Sequence, residues 1–202
     1  EKSMLFEALN NSKYSSVGIG PGLGIGEEAT LLLEGLLKNF NLPLILDADA
    51  LNILSQNKRL LKELPKASIL TPHPGEFRRL VGEWQNDFER LELQKKLANE
   101  FELIVILKGK NTSIALPTGE VFFNSTGNPG MATGGSGDVL TGIITALLAQ
   151  GYSSEDATII GVYLHGLAGD FAAEERSQEA MIASDIVDCL GAAFKKLVNE
   201  GV

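Results

Sequence analysis

Three glycines stand just before an acid in the stretch NPGMATGGSGDVLTG, which spans residues 128–142. Gly134, Gly135 and Gly137 allow unusual backbone angles and leave space for a ligand close to the backbone. The free N–H groups at the start of the helix that follows, together with its dipole, would attract an anion such as a phosphate. A carboxylate beside a bound phosphate is unfavourable unless a metal or a transferable proton is involved, so Asp138 is a candidate base for a substrate hydroxyl. The alternative is a tight turn in which Asp138 only caps the helix.

Two further loops have residue types that could contact phosphates. KGKNT, residues 108–112, follows an apolar strand, so Lys108 and the backbone of this loop could hold a nucleotide; the loop could equally be a solvated connection. GPGLGIG at 20–26 contains GxGxG and not the dinucleotide fingerprint GxGxxG, so by itself it indicates a strand-to-helix turn. No stretch matches the phosphate loop GxxxxGK[ST].

His73 lies between two prolines in TPHPGE, and prolines restrict the backbone of a turn. A histidine in a rigid loop after a strand is a candidate for ligand contact, and the alternative is a structural role in the turn. Glu76, three residues further on, could reach a metal-bound water. Its alternative role is that of an acid in the first turn of a helix, where it complements the helix dipole.

Two other motifs contain polar residues with less defined roles. Asp47 and Asp49 in LDADALN could face a metal or a polar substrate, or could cap the helix that follows them. His165 lies in VYLHGLAGD, where Gly166 and Gly169 indicate close helix packing. We therefore interpret His165 as a packed or hydrogen-bonded core residue.

Apolar runs and helical patterns alternate along the chain, which predicts an α/β fold with a mainly parallel central sheet, helices on both faces and a small β-hairpin. In such sheets ligands bind beyond the carboxyl ends of the strands, and the five loops that carry the motifs mostly follow predicted strands. Ser184 is expected to cap the last helix. The predicted elements are strand–loop–helix units over 17–40, 43–54 and 67–82, a helix over 86–101, a strand over 103–109, a hairpin over 112–125, and helices over 138–151, 153–175 and 184–198.

The composition narrows the class of protein. The chain has 202 residues, of which 44% are hydrophobic, and a formal net charge of −9 with no cluster of basic residues. A nucleic-acid partner is therefore not expected. No apolar run reaches the length of a membrane span and no signal peptide is evident, so a membrane partner is not expected either. The single cysteine, Cys189, suits a reducing compartment, and we expect a cytoplasmic protein.

Five stretches together carry a family resemblance, and they run from about residue 17 to 170: VGIGPGLG, LDADALN, TPHPGEFRRLVG, NPGMATGGSGDVLTGIITALLAQG and VYLHGLAGD. They resemble the ADP/ATP-dependent NAD(P)H-hydrate dehydratases of the ribokinase-like superfamily. The resemblance implies a ribokinase-like fold and a hydro-lyase that repairs hydrated NADH and NADPH (NADHX and NADPHX). It also implies ADP or ATP as phosphoryl donor, with Mg²⁺.

By family likeness, the substrate hydroxyl is phosphorylated and the phosphate then leaves, with Asp138 as the catalytic base. The resemblance gives three further groups of residues their expected roles. The nucleotide would be bound by Lys108, Gly109, Lys110, Asn111, Thr112, Gly134, Gly135, Ser136 and Gly137. The hydrated dinucleotide would be bound by Gly22, Gly24, His73, Asn128 and Asp138. Glu76 would organise magnesium through water.

Family members usually begin with a further segment, which includes a strand–loop–helix unit, and no match to it is found in this sequence. We therefore expect residues 1–202 to form a single ribokinase-like catalytic domain that lacks this N-terminal segment. An incomplete sheet would leave an exposed edge for another chain to cover. Together with the family likeness, this favours a homo-oligomer such as a tetramer.

Two other functions are open at this point. A kinase of the same superfamily that phosphorylates a small alcohol, such as a vitamin precursor, would share the glycine loop and Asp138. Related kinases tend to carry Asn where His73 stands, and the NPGMAT lead-in is typical of the dehydratases. A nucleotide-binding protein without catalysis is the third possibility, but such a protein would not need an acid directly after the loop.

Overall fold

The computed structural model describes residues 14–199. It contains six strands and seven α-helices in this range, with two short 3₁₀ helices at Lys58–Glu63 and Pro129–Met131. The strands are β1 (Val17–Ile19), β2 (Leu44–Leu46), β3 (Ile69–Leu70), β4 (Ile104–Leu107), β5 (Ser113–Ala115) and β6 (Val121–Phe123). The helices are α1 (Glu27–Asn39), α2 (Ala48–Gln56), α3 (Pro74–Val81), α4 (Asp87–Phe101), α5 (Ser136–Ala149), α6 (Ser154–Arg176) and α7 (Ala183–Asn199).

The strands form one sheet in the order β1-β2-β3-β4-β5-β6. The first four strands are parallel, whereas β5 pairs antiparallel with both β4 and β6. The mainly parallel sheet and the hairpin predicted from the sequence are therefore confirmed. Because β1 to β4 run in the same direction, the loops that follow them all leave from one edge of the sheet.

Both faces of the sheet are covered, as the continuous apolar character of the strands predicts. In β4, Ile104 and Ile106 face a cluster with α5 and α6, whereas Val105 and Leu107 face a cluster with α1 to α4. A third apolar cluster lies between α6 and α7 and includes the buried Cys189. The helices on both faces are confirmed, and the core has two layers separated by the sheet.

Hydrogen bonds extend the parallel ladder beyond the strand ends into the functional loops. The N–H group of Asp47 donates to the carbonyl of Ile19, and the N–H group of Lys108 donates to the carbonyl of Pro72. These backbone bonds are 3.1 and 2.9 Å long. The loops after β1, β2, β3 and β4 are therefore held in register with each other.

The boundaries differ from the sequence-based prediction in a few places. Ser153, where the predicted helix 153–175 starts, caps α6, since its side chain accepts a hydrogen bond from the N–H group of Asp156. The predicted cap at Ser184 is wrong, because α7 begins at Ala183; the carboxylate of Asp185 instead accepts from the N–H group of Ile182. In the described part of the chain, no helix is both long and apolar enough to cross a membrane.

The close approach of the loops after β1 and β2 leads to a first prediction. Gly20 has φ +132°, and a Cβ added to it would lie 1.7 Å from the carbonyl oxygen of Asp47. We expect Gly20→Ala to lower the free energy of unfolding by about 3 kcal/mol or more, measured by urea denaturation, because backbone atoms would have to move.

Gly22→Ala is the matched control for this substitution. Gly22 also has positive φ, at +65°, but no other heavy atom of the described chain lies within 4 Å of an added Cβ. This variant should lose only the about 1–2 kcal/mol that a left-handed conformation costs an L-residue. Equal losses in the two variants would show that the contact with Asp47 is not limiting.

Candidate active site

A buried carboxylate joins three of the elements at the carboxyl edge of the sheet. Asp47 follows β2, and its side chain is almost fully buried. Its Oδ1 accepts hydrogen bonds from the Lys108 ammonium and from the N–H group of Ala48, both at 2.8 Å. Its Oδ2 accepts from the hydroxyl of Thr141 at 3.1 Å. Asp47 thus acts as the cap of α2, one of its predicted roles, and also ties β4 and α5 to β2.

The glycine loop leads into α5 beside this ion pair. Gly135 is the residue before the helix and has φ +88°, a conformation that favours glycine. Among residues 14–199, the N–H groups of Gly137 and Asp138 have no acceptor. The Lys108 ammonium is close by, 3.1 Å from the position that a Cβ on Gly137 would occupy. Free N–H groups, a helix dipole and an ammonium group together make this end of α5 suited to a phosphate.

An open cleft of about 610 Å³ lies next to the helix start. One wall is formed by the face of α5 that carries Asp138, Thr141 and Thr145, and the other wall is formed by β1 and the loop after it. The hydroxyl of Ser16 donates to the carbonyl of Thr145 at 2.9 Å, which holds the two walls together. Because Asp138 belongs both to the helix start and to the cleft, a hydroxyl in the cleft could meet a phosphate at the helix.

The glycine-rich loop after β1 is held by the second acid of LDADALN. The N–H group of Gly24 donates to Oδ2 of Asp49 at 2.8 Å. Gly22 and Gly24 are in positive-φ conformations, at +65° and +77°. Gly20, Pro21 and Leu23 of this loop line the cleft, whereas the expected substrate contacts of Gly22 and Gly24 stay predictions.

His73 and Glu76 form a reciprocal cap at the start of α3. Nδ1 of His73 accepts a hydrogen bond from the N–H group of Gly75 at 2.9 Å, and Oε2 of Glu76 accepts one from the N–H group of His73 at 2.8 Å. The other carboxylate oxygen of Glu76 lies 3.4 Å from Nε2 of His73. Glu76 is buried and its carboxylate is engaged with His73, which agrees with its helix-start alternative. Its role towards magnesium stays a prediction.

The loop after β4 is closed by its own side chain. The hydroxyl of Thr112 donates to the carbonyl of Gly109 at 3.2 Å, while Gly109, Lys110 and Asn111 are exposed. The structure thus brings Lys108 to the start of α5 and leaves the rest of the loop accessible at the same edge. The nucleotide contacts expected of 108–112 stay predictions.

Asn128 lies away from the cleft and is bound to α6. Its amide nitrogen donates to the carbonyl of Gly169 at 2.9 Å and to the carboxylate of Asp170 at 3.0 Å. Its amide oxygen accepts from the N–H group of Gly130 at 3.0 Å. These bonds explain why asparagine suits this position, and the expected contact with substrate stays a prediction.

His165 reaches from α6 to the first residue of α5. Its Nε2 lies 2.9 Å from the carbonyl oxygen of Ser136, which can only accept, so Nε2 carries the hydrogen. Burial lowers the pKa of His165 to about 4; the hydrogen bond with Ser136 opposes this shift and the charge of Lys108 adds to it. The imidazole is therefore neutral near pH 7, and the prediction of a hydrogen-bonded interior residue agrees with this geometry.

Sequence reasoning missed three polar residues of the cleft region, Ser16, Thr141 and Thr145. A signal for two of them existed, since Thr141 and Thr145 follow Asp138 at spacings of three and seven, which places them on one helix face. It also missed the pairing of Asp47 with Lys108, which are 61 residues apart. In the described range, no group of three or more His, Cys, Asp and Glu side chains is arranged to hold a metal ion.

Comparison with known proteins gives one family and several close structures. The family model for NAD(P)H-hydrate dehydratase matches residues 2–191. A relative from Moorella thermoacetica, a bifunctional NAD(P)H-hydrate repair enzyme, is 46% identical over 186 residues; the match covers 91% of this chain and 35% of that protein. The chain thus spans about a third of the length of this relative.

Two solved structures show the fold. The ADP/ATP-dependent NAD(P)H-hydrate dehydratase of Bacillus subtilis, co-crystallised with ATP and Mg²⁺ and soaked with CoA, has a TM-score of 0.83 at 34% identity. This match covers 96% of the present chain and 71% of the B. subtilis chain. A ribokinase-like superfamily protein of Enterococcus faecalis has a TM-score of 0.79 at 32% identity, covering 97% of this chain and 67% of its own. The expected ribokinase-like fold is confirmed.

The ion pair between Asp47 and Lys108 leads to a second prediction. Asp47→Asn should lower the free energy of unfolding by about 3 kcal/mol, because it leaves the ammonium beside α5 without its carboxylate. Adding Lys108→Met should recover part of the loss, since the uncompensated charge is then gone. A double-mutant cycle from urea denaturation measures this coupling.

Asp49→Asn serves as the control, because Asp49 belongs to the same motif but contacts no basic side chain in the described structure. Asp49→Asn should lower the free energy of unfolding by less than Asp47→Asn does. Strictly additive effects of Asp47→Asn and Lys108→Met would contradict a stabilising pair.

The buried imidazole of His165 leads to a third prediction. In the unfolded chain His165 takes up a proton near pH 6.5, whereas in the folded chain it does so only near pH 4. The contribution of neutral His165 to the free energy of unfolding is therefore complete above pH 6.5 and is lost as the pH falls to 4. The loss should approach about 3 kcal/mol. His165→Gln should remove this dependence, so that its free energy of unfolding falls less than that of the wild type between pH 7 and 4.5. Parallel pH curves would contradict the assignment.

Proposed function

Since this chain belongs to the NAD(P)H-hydrate dehydratase family, we propose that it catalyses the nucleotide-dependent dehydration of hydrated NADH and NADPH, which restores NADH and NADPH. The observation that carries this proposal is the position of Asp138. Its carboxylate follows the free N–H groups at the start of α5 and lines the adjacent cleft. A phosphoryl donor and a substrate hydroxyl could therefore meet at one acid.

The chemistry follows from the leaving group. Hydroxide leaves poorly, whereas phosphate leaves readily. In the proposed reaction Asp138 accepts the proton of the substrate hydroxyl, while the hydroxyl oxygen forms a bond to the terminal phosphorus and the nucleotide leaves. Elimination then breaks the C–O bond and one neighbouring C–H bond. The substrate thus loses the elements of water, released as phosphate and a proton.

The start of α5 is suited to the charge of the transferred group. The N–H groups of Gly137 and Asp138 and the Lys108 ammonium would stabilise the phosphoryl oxygens. Asp47 holds Lys108 on the protein side, so the ammonium needs little reorganisation when the phosphate arrives.

For the nucleotide, we propose that residues 108–112 and Gly134–Gly137 contact ADP or ATP. The B. subtilis protein, which is described as ADP/ATP-dependent, supports either donor. Mg²⁺ would screen the phosphate charge. Since residues 14–199 contain no cluster of three or more ligating side chains for a metal, the ion would be held mainly by phosphate oxygens and water, a common mode for Mg²⁺.

Self-association is expected from the family and can be measured by sedimentation.

The test of this function is spectrophotometric. Purified protein is mixed with hydrated NADH, Mg²⁺ and either ADP or ATP, and the absorbance of reduced nicotinamide is followed together with free phosphate. We expect absorbance and phosphate to rise in parallel with at least one of the two nucleotides. A stable phosphorylated alcohol without phosphate release would support a small-alcohol kinase, and nucleotide binding without any turnover would support a non-catalytic binder.

The proposed base gives a fourth prediction. Asp138→Asn should lower kcat by about 10²–10⁴-fold, since the amide cannot accept the hydroxyl proton. The affinity for nucleotide should change little, because the N–H groups of the helix start remain. Isothermal titration calorimetry with ADP measures the second quantity.

Asp156→Asn is a suitable control for this variant. Asp156 also lies in the first turn of a helix, but in α6 and outside the cleft. Its substitution should leave turnover at the wild-type level. Full turnover of Asp138→Asn would exclude Asp138 as the base.

A further inference from the structure

The helix α6 presents one continuous face to the segment that leads into the glycine loop. His165, Gly166, Gly169 and Asp170 are spaced by three and four residues, which places them on one side of the helix. All four contact residues between 126 and 136. This face, His165–Gly166–Gly169–Asp170, is called the docking face below.

Two glycines of the docking face allow close contact with the loop, one with its backbone and one with a side chain. A Cβ added to Gly166 would lie 2.2 Å from Oγ1 of Thr126 and 2.8 Å from the carbonyl group of the same residue. A Cβ added to Gly169 would lie 2.3 Å from the sulfur of Met131. A side chain at position 166 would push the loop backbone away from the helix, whereas one at position 169 would displace the side chain of Met131.

Hydrogen bonds fix the first part of the loop on the docking face. The hydroxyl of Thr126 donates to the carbonyl of Tyr163 at 2.9 Å. The N–H group of Gly127 donates to the carboxylate of Asp170 at 2.9 Å, and Asn128 binds the same carboxylate and the carbonyl of Gly169. The loop is therefore held along two turns of α6 before the glycines begin.

The last part of the loop, from Gly134 to Ser136, contains two glycines that allow many backbone conformations, so it needs a separate attachment. Gly134 and Gly135 impose no backbone preference of their own. His165 provides the attachment, because its Nε2–H donates to the carbonyl of Ser136 at 2.9 Å and lies 3.3 Å from the Ser136 hydroxyl. Ser136 directly precedes Gly137 and Asp138, whose N–H groups have no acceptor in the described chain.

We propose that His165 is a positioning residue for phosphoryl transfer, which acts through the carbonyl of Ser136 to orient the free N–H groups of Gly137 and Asp138. The inference rests on the proposed function and adds a residue that does not contact the substrate. A neutral donor suits this task, because it fixes the carbonyl without adding a charge next to Lys108. Displacement of transition-state donors by about 1 Å can lower turnover by about 10²-fold.

Two amide variants test the proposal. In His165→Gln the side-chain nitrogen can occupy the place of Nε2, whereas in His165→Asn it corresponds to Nδ1 and is too short to take the Nε2 position. Both substitutions replace the imidazole ring with a carboxamide. We expect His165→Asn to lower kcat by about 10- to 100-fold with the KM for the hydrated dinucleotide within about twofold of wild type. His165→Gln should retain kcat within about threefold.

Thr158→Val is the control for a buried polar change in the same helix. The hydroxyl of Thr158 is buried and has no hydrogen-bond partner among the described residues, and it lies outside the docking face. This variant should keep wild-type kcat and thermal stability. Melting temperatures of all variants separate a loss of folding from a loss of turnover.

Wild-type kcat in both amide variants, or equal losses in both at equal melting temperature, would overturn the proposal. If the wild type has no dehydratase turnover, the proposed function fails instead. In that case the positioning role of His165 is tested by calorimetry with ADP. Weaker ADP binding by His165→Asn than by His165→Gln would support this role, and equal affinities of the two variants would overturn it. If His165→Asn does not fold, amide hydrogen exchange is compared between His165→Gln and the wild type at Ser136 and Val139, whose N–H groups donate to the carbonyls of Thr133 and Gly135. Faster exchange of these two amides in His165→Gln would contradict a retained attachment.

Discussion

The buried carboxylate of Asp47 is the interaction on which the edge of the sheet depends. A charge in the interior is tolerated only when it is paired and hydrogen-bonded, and Asp47 has three such partners: Lys108, Ala48 and Thr141. Lys108 directly follows β4, Ala48 begins α2 and Thr141 lies in α5. Because removal of any one element would leave the carboxylate without a required donor, the pairing fixes how the three elements meet.

The same contact determines where positive charge is found at the start of α5. An unpaired lysine at this position could take many rotamers, but the carboxylate holds the ammonium next to Gly137. A Cβ at position 137 would lie 3.1 Å from this ammonium, so glycine leaves room for the ion pair as well as for ligand approach. The buried pair thus places positive charge at the proposed anion site, although the formal net charge of the whole chain is −9.

The opposite side of the glycine loop depends on packing more than on charge. Gly166 and Gly169 bring the backbone of α6 against Thr126 and Met131, and His165 extends the contact to Ser136. A loop rich in glycine has a large conformational entropy when free, so its shape must come from such neighbours. Asp138 therefore stands between two rigid supports, the ion pair of Asp47 on one side and the helix α6 on the other.

Much of the fold could be predicted from the sequence. Continuous apolar runs such as LIVIL in 103–107 predict buried strands, and the spacing of apolar residues in 153–175 predicts a helix. Both predictions succeed because the two patterns reflect local backbone geometry. The exact start of α7 could not be predicted: Ser184 is a good cap by type, but the helix begins one residue earlier. Side-chain type alone does not choose among adjacent residues when tertiary packing fixes the helix end.

For the site, the sequence by itself determined which residue types stand next to each other, as in GGSGD and TPHPGE, and through them the family. The tertiary structure decided which distant residues pair. Asp47 and Lys108 are 61 residues apart and Ser136 and His165 are 29 apart, and no periodicity links either pair. Their contacts depend on the order of the strands and on the helix that covers the sheet, which arise only when the separate elements bury their apolar faces together.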